Sequence, residues 1–423
     1  MADEIDEIRR RIDIVDLVSS RVQLKRAGKN FVGLCPFHDD KRPSFNVSPL
    51  IGRYTCWSCG AKGDIFNWVM ETQKVDFAEA LRILAAQAGV TLSSRGTTKK
   101  VDAGYGTAMA DALDFYLSQM RLSKEATDYC DNRGLTDEVR AQWEIGFAPE
   151  MGDALARSLQ KKGHSLAMCE EVFLVRKDAG GGYYDMFRGR MMVPIRDERG
   201  TLVAFGGRTV LKDGIPKYIN SSDTPLFHKN RLLFGMDKAK EVIAKTKVAV
   251  LVEGYLDVVA CHRAGVRNAV ASLGTSLTEE QVKLLKRWCE RVVVFYDGDT
   301  AGQNATERAA DMLEPAGLGV TVVMVPAGDD PDTMLKDHGA ASVVAAVSKS
   351  QPILDFRAWL LRQRHQPNDP DYWDLVAKVL AKAPNELEFL RLAPSFAAEF
   401  PGTRDKEAAV RALRKMAVDA KRG

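Results

Sequence analysis

Ile5, Ile8, Ile12, Val15 and Val18 recur every three or four positions, which predicts one helical face over residues 3–18. The rhythm then changes. Across 31–70 short apolar runs are broken by Pro36, Pro43, Pro49, Gly52 and Gly60, predicting brief strands followed by helices at 65–70 and 77–88. Residues 93–102, SSRGTTKKVD, are small and polar without periodicity, the composition of a tether. From 106 to 160 the spacing is helical, and from 171 to 234 short strands are separated by glycine bends at Gly180 to Gly182, Gly189, Gly206 and Gly207. Between 247 and 332 the apolar strands KVAVLV, NAVAS, RVVVF and VTVVMV alternate with helices at 255–264, 278–288 and 301–313. Such alternation predicts a parallel sheet with crossover helices. Only helical patterns remain from 337 to 423.

A length of 423 residues is too great for one core, and 45% hydrophobic with 28% charged residues excludes wholesale disorder. No apolar run reaches the roughly 18 residues that span a bilayer, and the first eleven residues are charged, so a cytoplasmic protein without membrane contact is expected. The net charge of +3 is too small to identify a nucleic-acid partner; only local clustering can do so.

Seven cysteines are too few for a disulfide framework, yet Cys35 and His38 form one pair with two residues between, and Cys56 and Cys59 another. Two such knuckles joined by a hairpin supply the four ligands of a structural Zn2+, with no position open to substrate. Cys130, Cys169, Cys261 and Cys289 lack metal spacing and read as small buried hydrophobes. Lys25, Arg26, Lys29, Lys41, Arg42, Arg53 and Lys62 are interleaved with Phe31, Phe37, Phe45, Tyr54 and Trp57. That mixture suits stacked, unpaired bases or, equally, a mini-core with solvated charges.

A second chemistry lies at strand ends. VLVEGYLD runs a strand into Glu253, with Asp257 one helical turn beyond; VVVFYDGDTAG runs another into Asp297 and Asp299; GDDPD places Asp330 and Asp332 after a third. In an open parallel sheet ligands bind at that edge, where glycines let backbone approach phosphates. So many carboxylates at one edge call for hard cations, Mg2+ or Mn2+, although any single acid could be a helix cap. Between the metal pairs and these acids, residues 176–231 hold eleven Lys and Arg against six acids. Arg188 and Arg190 in FRGR are expected to alternate on one strand face; Arg208 in FGGR is expected to reach phosphates beside bare backbone; Lys217 and Lys229 extend the track.

EGYLD followed by DGDTAG resembles the TOPRIM domain of primases, topoisomerases and certain nucleases. With CPFH and CWSCG before it, and RGR, FGGR, PKY and HK between, the chain resembles bacterial DnaG-type DNA primases over almost its whole length. The resemblance implies a multidomain α+β fold: a zinc ribbon at 1–95, a linker at 96–106, a basic mixed α/β subdomain at 107–245, a TOPRIM parallel-sheet subdomain at 246–336 and a helical bundle at 337–423. It also implies that Arg133 and Asn220 join the basic residues along the path of template and nucleotide. The activity implied is synthesis of RNA primers from ribonucleoside triphosphates on single-stranded DNA by a monomer. Glu253, Asp297 and Asp299 would act as catalytic residues, and Glu253, Asp257, Asp297, Asp299, Asp330 and Asp332 as ligands of two or more cations, with Glu253 alternatively a general base. Family members usually continue into a domain that docks on the replicative helicase; the resemblance implies that helicase as a partner, while this chain stops near the end of the polymerase part, without the docking domain. A TOPRIM nuclease or topoisomerase would use the same acids to break a phosphodiester, but the 88 or so residues after the sheet are few for a gated tyrosine domain. A non-catalytic recombination mediator would be far shorter. No GxxxxGK[ST] loop occurs, which excludes a fused helicase motor of that type.

Overall fold

The computed structural model describes residues 2–38, 40, 42–73, 77–90, 103–211, 215–274, 276–326, 328–401, 403 and 405–422. The chain divides into two compact units, Met1–Lys99 and Lys100–Gly423. The tether expected at 93–102 lies outside the described residues; a helix, Ala103–Leu122, already runs inside the stretch 96–106. Among the described residues no helix is long and apolar enough to cross a membrane.

In the first unit the strands Lys25–Ala27, Asn30–Gly33, Phe45–Ser48, Arg53–Cys56 and Lys62–Gly63 form an antiparallel meander in chain order. The helix expected over 3–18 is two helices, Ala2–Arg11 and Ile14–Ser19. Asp13 breaks it, because its carboxylate accepts the amides of Val15 and Asp16 and so starts a new helix. Phe45, Val47 and Tyr54 point inward by strand alternation, and Phe37, Phe45, Tyr54 and Trp68 pack as one aromatic group with ring centroids 5.2–6.0 Å apart. These aromatics are therefore the mini-core. Of the five considered for stacking bases, Trp57 alone stands largely free, at 79% exposure.

The second unit opens with an antiparallel sheet in the order Tyr218–Asn220, Leu202–Thr209, Arg190–Arg196, Gly146–Ala148. The last of these lies in a stretch read as helical: three residues are too short to show a period, and Gly146 lies against Tyr116 with no room for a Cβ. Next comes a five-stranded sheet in the order Ala269–Ala271, Val248–Val252, Arg291–Val294, Gly319–Val322, Gln351–Pro352. Its first four strands are parallel, and the last, which the helical reading of 337–423 missed, pairs antiparallel at the edge. Ala249 and Leu251 pack into one core while Val250 and Val252 pack into the other. Both faces are covered, which is why these strands read as unbroken apolar runs. Leaving Val248–Val252 the chain steps first to one side and then to the other, so the order reverses beside that strand and opens a crevice at its carboxyl end. Helices Ile353–Arg364, Tyr372–Ala381, Glu386–Ala397 and Lys406–Arg422 share a further core. Arg357 ties the first of them to the sheet layer through ion pairs to Glu307, Asp311 and Glu314.

Candidate active site

Glu253 follows directly on Val248–Val252, Asp297 lies three residues past Arg291–Val294, and Asp330 follows the loop after Gly319–Val322. The glycines between them bring these loops together. An added Cβ on Gly298 would sit 2.0 Å from the Pro326 carbonyl oxygen, and one on Gly302 2.2 Å from that of Asp297. The Gly298 amide also donates to the Asp329 carbonyl, 3.2 Å away. These glycines let backbone approach backbone.

Glu253, Asp257, Asp297, Asp330 and Asp332 line one cavity of about 550 Å3 together with Arg133, Arg208, Lys217, Tyr218 and Asn220. Four acids are anchored through one oxygen each: Glu253 accepts the Asp297 amide at 3.2 Å, Asp257 that of Gly254 at 2.9 Å, Asp299 that of Gly302 at 2.8 Å and Asp330 that of Thr333 at 2.6 Å. Three of these anchors are helix caps, so the helix-cap alternative holds for one oxygen of each. The second oxygen of all four has no hydrogen-bond partner among the described residues and is free to ligate. Asp299 stands exposed at the head of helix Thr300–Leu313, beside the cavity lining rather than in it.

Crowding raises the affinity of this group for positive charge. Burial, then the charges of Glu253, Asp330 and Asp299, push the Asp297 carboxyl up to about 7, with Lys217 opposing. Burial also raises Glu253, helped by Asp299 and Asp330, and holds Asp257 well above the carboxylate range, helped by Asp330 and Asp297. Oxygen donors that are costly to keep ionised alone suit a hard divalent cation. Asp332 is partly spoken for, since Arg133 stands 3.5 Å away.

On the basic side, Arg208 donates to the hydroxyl of Tyr129 at 2.8 Å and to that of Tyr218, and its guanidinium lies over the Tyr218 ring. Tyr218 packs edge-on against Tyr255. The glycines before Arg208 are not open to a ligand: Cβ atoms there would meet the Tyr255 hydroxyl at 2.5 Å and the Phe187 ring at 3.0 Å. Nor do Arg188 and Arg190 alternate on a strand. Gly189 turns left-handed at φ 60°, Arg188 sits in the loop over the Tyr184 ring, and Arg190 is buried, donating to the carbonyls of Pro216, Lys217 and Gly207. Arg190 thus positions the Lys217 backbone rather than meeting a phosphate. Lys229 is outside the cavity lining, on a short turn whose carbonyl is held by Gln281.

In the first unit the four predicted metal ligands converge. Cys35 and Cys59 sulfurs lie 3.7 Å apart, Cys56 Sγ and His38 Nδ1 4.0 Å apart, and all four ligand atoms fall within 4.8 Å of one another. Zn–S bonds near 2.3 Å give a tetrahedron about 3.8 Å on an edge, so the set fits one zinc ion. Asp40 steadies the first knuckle by accepting the Cys35 amide at 2.9 Å and the Ser44 hydroxyl at 2.7 Å, and those bonds, Ser44 first, hold its carboxyl down to about 2. Sequence reasoning passed over Asp40, whose signal was its place two residues after a ligand.

Three family models match: the CHC2 zinc finger over residues 1–100, the N-terminal domain of the DNA primase catalytic core over 115–240, and a Toprim-like domain over 250–335. The DNA primase of Halalkalibacterium halodurans is 39% identical over 409 residues, covering 94% of this chain and 68% of its own. The chain belongs to the bacterial DnaG-type DNA primases. The zinc-binding and RNA polymerase domains of the Aquifex aeolicus primase superpose with a TM-score of 0.61 at 34% identity, covering 95% of this chain and 98% of that one. A DnaG primase catalytic domain bound to single-stranded DNA gives 0.58 at 32% identity over 74% and 98% of the two chains. The chain spans about two thirds of the length of the curated relative named above. As a primase it is a nucleotidyltransferase of the DNA-directed RNA polymerase class, with Zn2+ in its zinc finger and a Toprim domain that takes divalent metal. The tyrosines around Arg208 were not among the residues singled out, because nothing in their spacing tells a ring that holds a guanidinium from one that fills a core.

Proposed function

We propose that this primase builds RNA primers on single-stranded DNA in the cavity below Glu253, with ribonucleoside triphosphates as substrates. One observation carries the reading: five acids and three basic side chains line a single cavity at the switch point of a parallel sheet. The free oxygens of Glu253, Asp257 and Asp330, with Asp297 and the neighbouring Asp299, would hold divalent cations. When bound, these favour ionisation of a 3′-hydroxyl and offset charge on the triphosphate. Glu253, anchored by the Asp297 amide, orients the attacking end, while Lys217 and Arg133 draw in phosphates from the basic side. Arg208, fixed by two tyrosines, presents its remaining donors at a set angle. Template binding follows from the same groups, supported by the relative whose catalytic domain is described as bound to single-stranded DNA. The zinc unit would help hold template, with exposed Trp57 as the ring available for stacking. A monomer acting in the cytoplasm at the replication fork, with the replicative helicase as a partner of the family, completes the proposal.

Glu253→Gln tests it. Ribonucleotide incorporation on bare single-stranded template should fall at least about 10²-fold while single-strand affinity stays within twofold. Joint loss of both would assign Glu253 to folding, and nicking or relaxation of DNA by the unaltered protein would favour the nuclease or topoisomerase reading.

A further inference from the structure

A second cavity, of about 380 Å3, shares Glu253 and Gly274 with the catalytic one. Its size falls in the range of about 300–1,000 Å3 found for small-molecule sites. Its chemistry differs. Leu277, Ala305 and Met312 give apolar walls, Ser272 and Ser276 add hydroxyls, and Arg308 lines it as an exposed guanidinium without a carboxylate partner among the described residues. Tyr296, also in the lining, is fixed by a hydrogen bond with Ser272.

A polymerase that starts a strand must join two free nucleotides before any primer exists. One is attacked at its α-phosphate, and its triphosphate suits the acid and lysine side of the catalytic cavity. The other offers a 3′-hydroxyl and has no preceding base pair to stack on, so the protein must supply an apolar surface for its base and ribose. It also brings a 5′-triphosphate of its own, which needs a cation. The second cavity supplies an apolar surface, a free arginine and a wall made by Glu253.

We propose that this second cavity holds the first ribonucleotide of the primer, with its 3′-hydroxyl toward Glu253 and its 5′-phosphates toward Arg308. In the joining step the 3′-oxygen forms a bond to the α-phosphorus of the incoming triphosphate and the bond to the bridging oxygen breaks. Pyrophosphate leaves, and the hydroxyl proton passes to water. The assignment rests on the reading of Glu253 as a carboxylate of the reacting site.

Dinucleotide synthesis on a template that directs two different bases lets the KM of each ribonucleotide be titrated separately. Ala305→Leu narrows the cavity, and Arg308→Ala removes an exposed cation at little risk to folding. Each should raise the KM of the first nucleotide about tenfold and leave that of the second within twofold. The Arg308→Ala effect should vanish when the first position is supplied as the unphosphorylated nucleoside. Equal changes in both KM values, no change in either, or an Arg308→Ala effect that persists with the nucleoside overturns the assignment. If Glu253→Gln is inactive in the same assay, such a failure is the second cavity's alone; an active Glu253→Gln would instead remove the reading beneath it.

Discussion

Gly298 offers the sharpest test of how this site is assembled. Its backbone is not left-handed, so alanine meets no torsional penalty; the obstacle is steric alone. The new Cβ would lie 2.0 Å from the Pro326 carbonyl oxygen and 2.6 Å from its carbon, where ordinary contact begins at 3.4 Å, so the two loops must part by about 1.4 Å. Neither neighbour is a flexible side-chain tip. Asp297 and Asp299 flank the substituted residue, and Asp330 follows the loop it pushes on, so the displacement falls between the carboxylates. Overpacking of this kind costs about 1–3 kcal/mol of stability, and a misplacement near 1 Å costs about 10²-fold in turnover, close to 2.7 kcal/mol of barrier. Primer synthesis by Gly298→Ala should therefore fall about a hundredfold at saturating nucleotide while its melting temperature drops by only a few degrees. Gly106→Ala is the control: nothing lies within 4 Å of its Cβ, it sits in helix Ala103–Leu122, and alanine there should be neutral or stabilising by up to about 1 kcal/mol. A Gly298→Ala enzyme within threefold of the unaltered rate would refute the argument that these glycines set the spacing of the acids.

Metal analysis should find one zinc per chain, reduced to none by Cys56→Ser; retention of zinc in that variant would move the site elsewhere. Lys217→Ala should weaken single-strand binding and lower the slope of log affinity against log salt by about 0.7, the value of one phosphate contact, and an unchanged slope would take Lys217 off the track. His262 packs against the Trp143 edge and donates Nε2–H to the Ala269 carbonyl at 3.0 Å; burial pulls its pKa down to about 4. The unfolded chain binds a proton near pH 6.5 that the folded state refuses, so stability is lost as pH falls from 6.5 to 4, by at most about 3–4 kcal/mol. Urea melts across that window should show a shallower acid loss for His262→Gln, and parallel acid limbs would count against it.

The parallel sheet was legible because strands covered on both faces carry unbroken apolar runs, and the zinc site because two ligand pairs can be read from spacing alone. The acids were legible as a group since each lies at, or within a few residues of, a loop that follows a strand of one parallel sheet. What escaped were matters of contact between distant segments. FRGR has the alternation of a strand, yet Gly189 turns left-handed and Arg190 finds three carbonyls inside. FGGR invites a phosphate-binding reading, but Tyr255 and Phe187, remote in sequence, fill the space its glycines leave. Tyr129 lies 79 residues from the arginine it steadies. No local pattern encodes such pairings.

Because Asp257, Asp299 and Asp330 each cap a helix through one oxygen, the second oxygen, the one proposed for a cation, is placed by the skeleton of the domain. Emptying that proposed shell would leave those caps intact. Asparagine at these positions would keep the helices started while stripping the charge, whereas alanine would unravel a first turn as well.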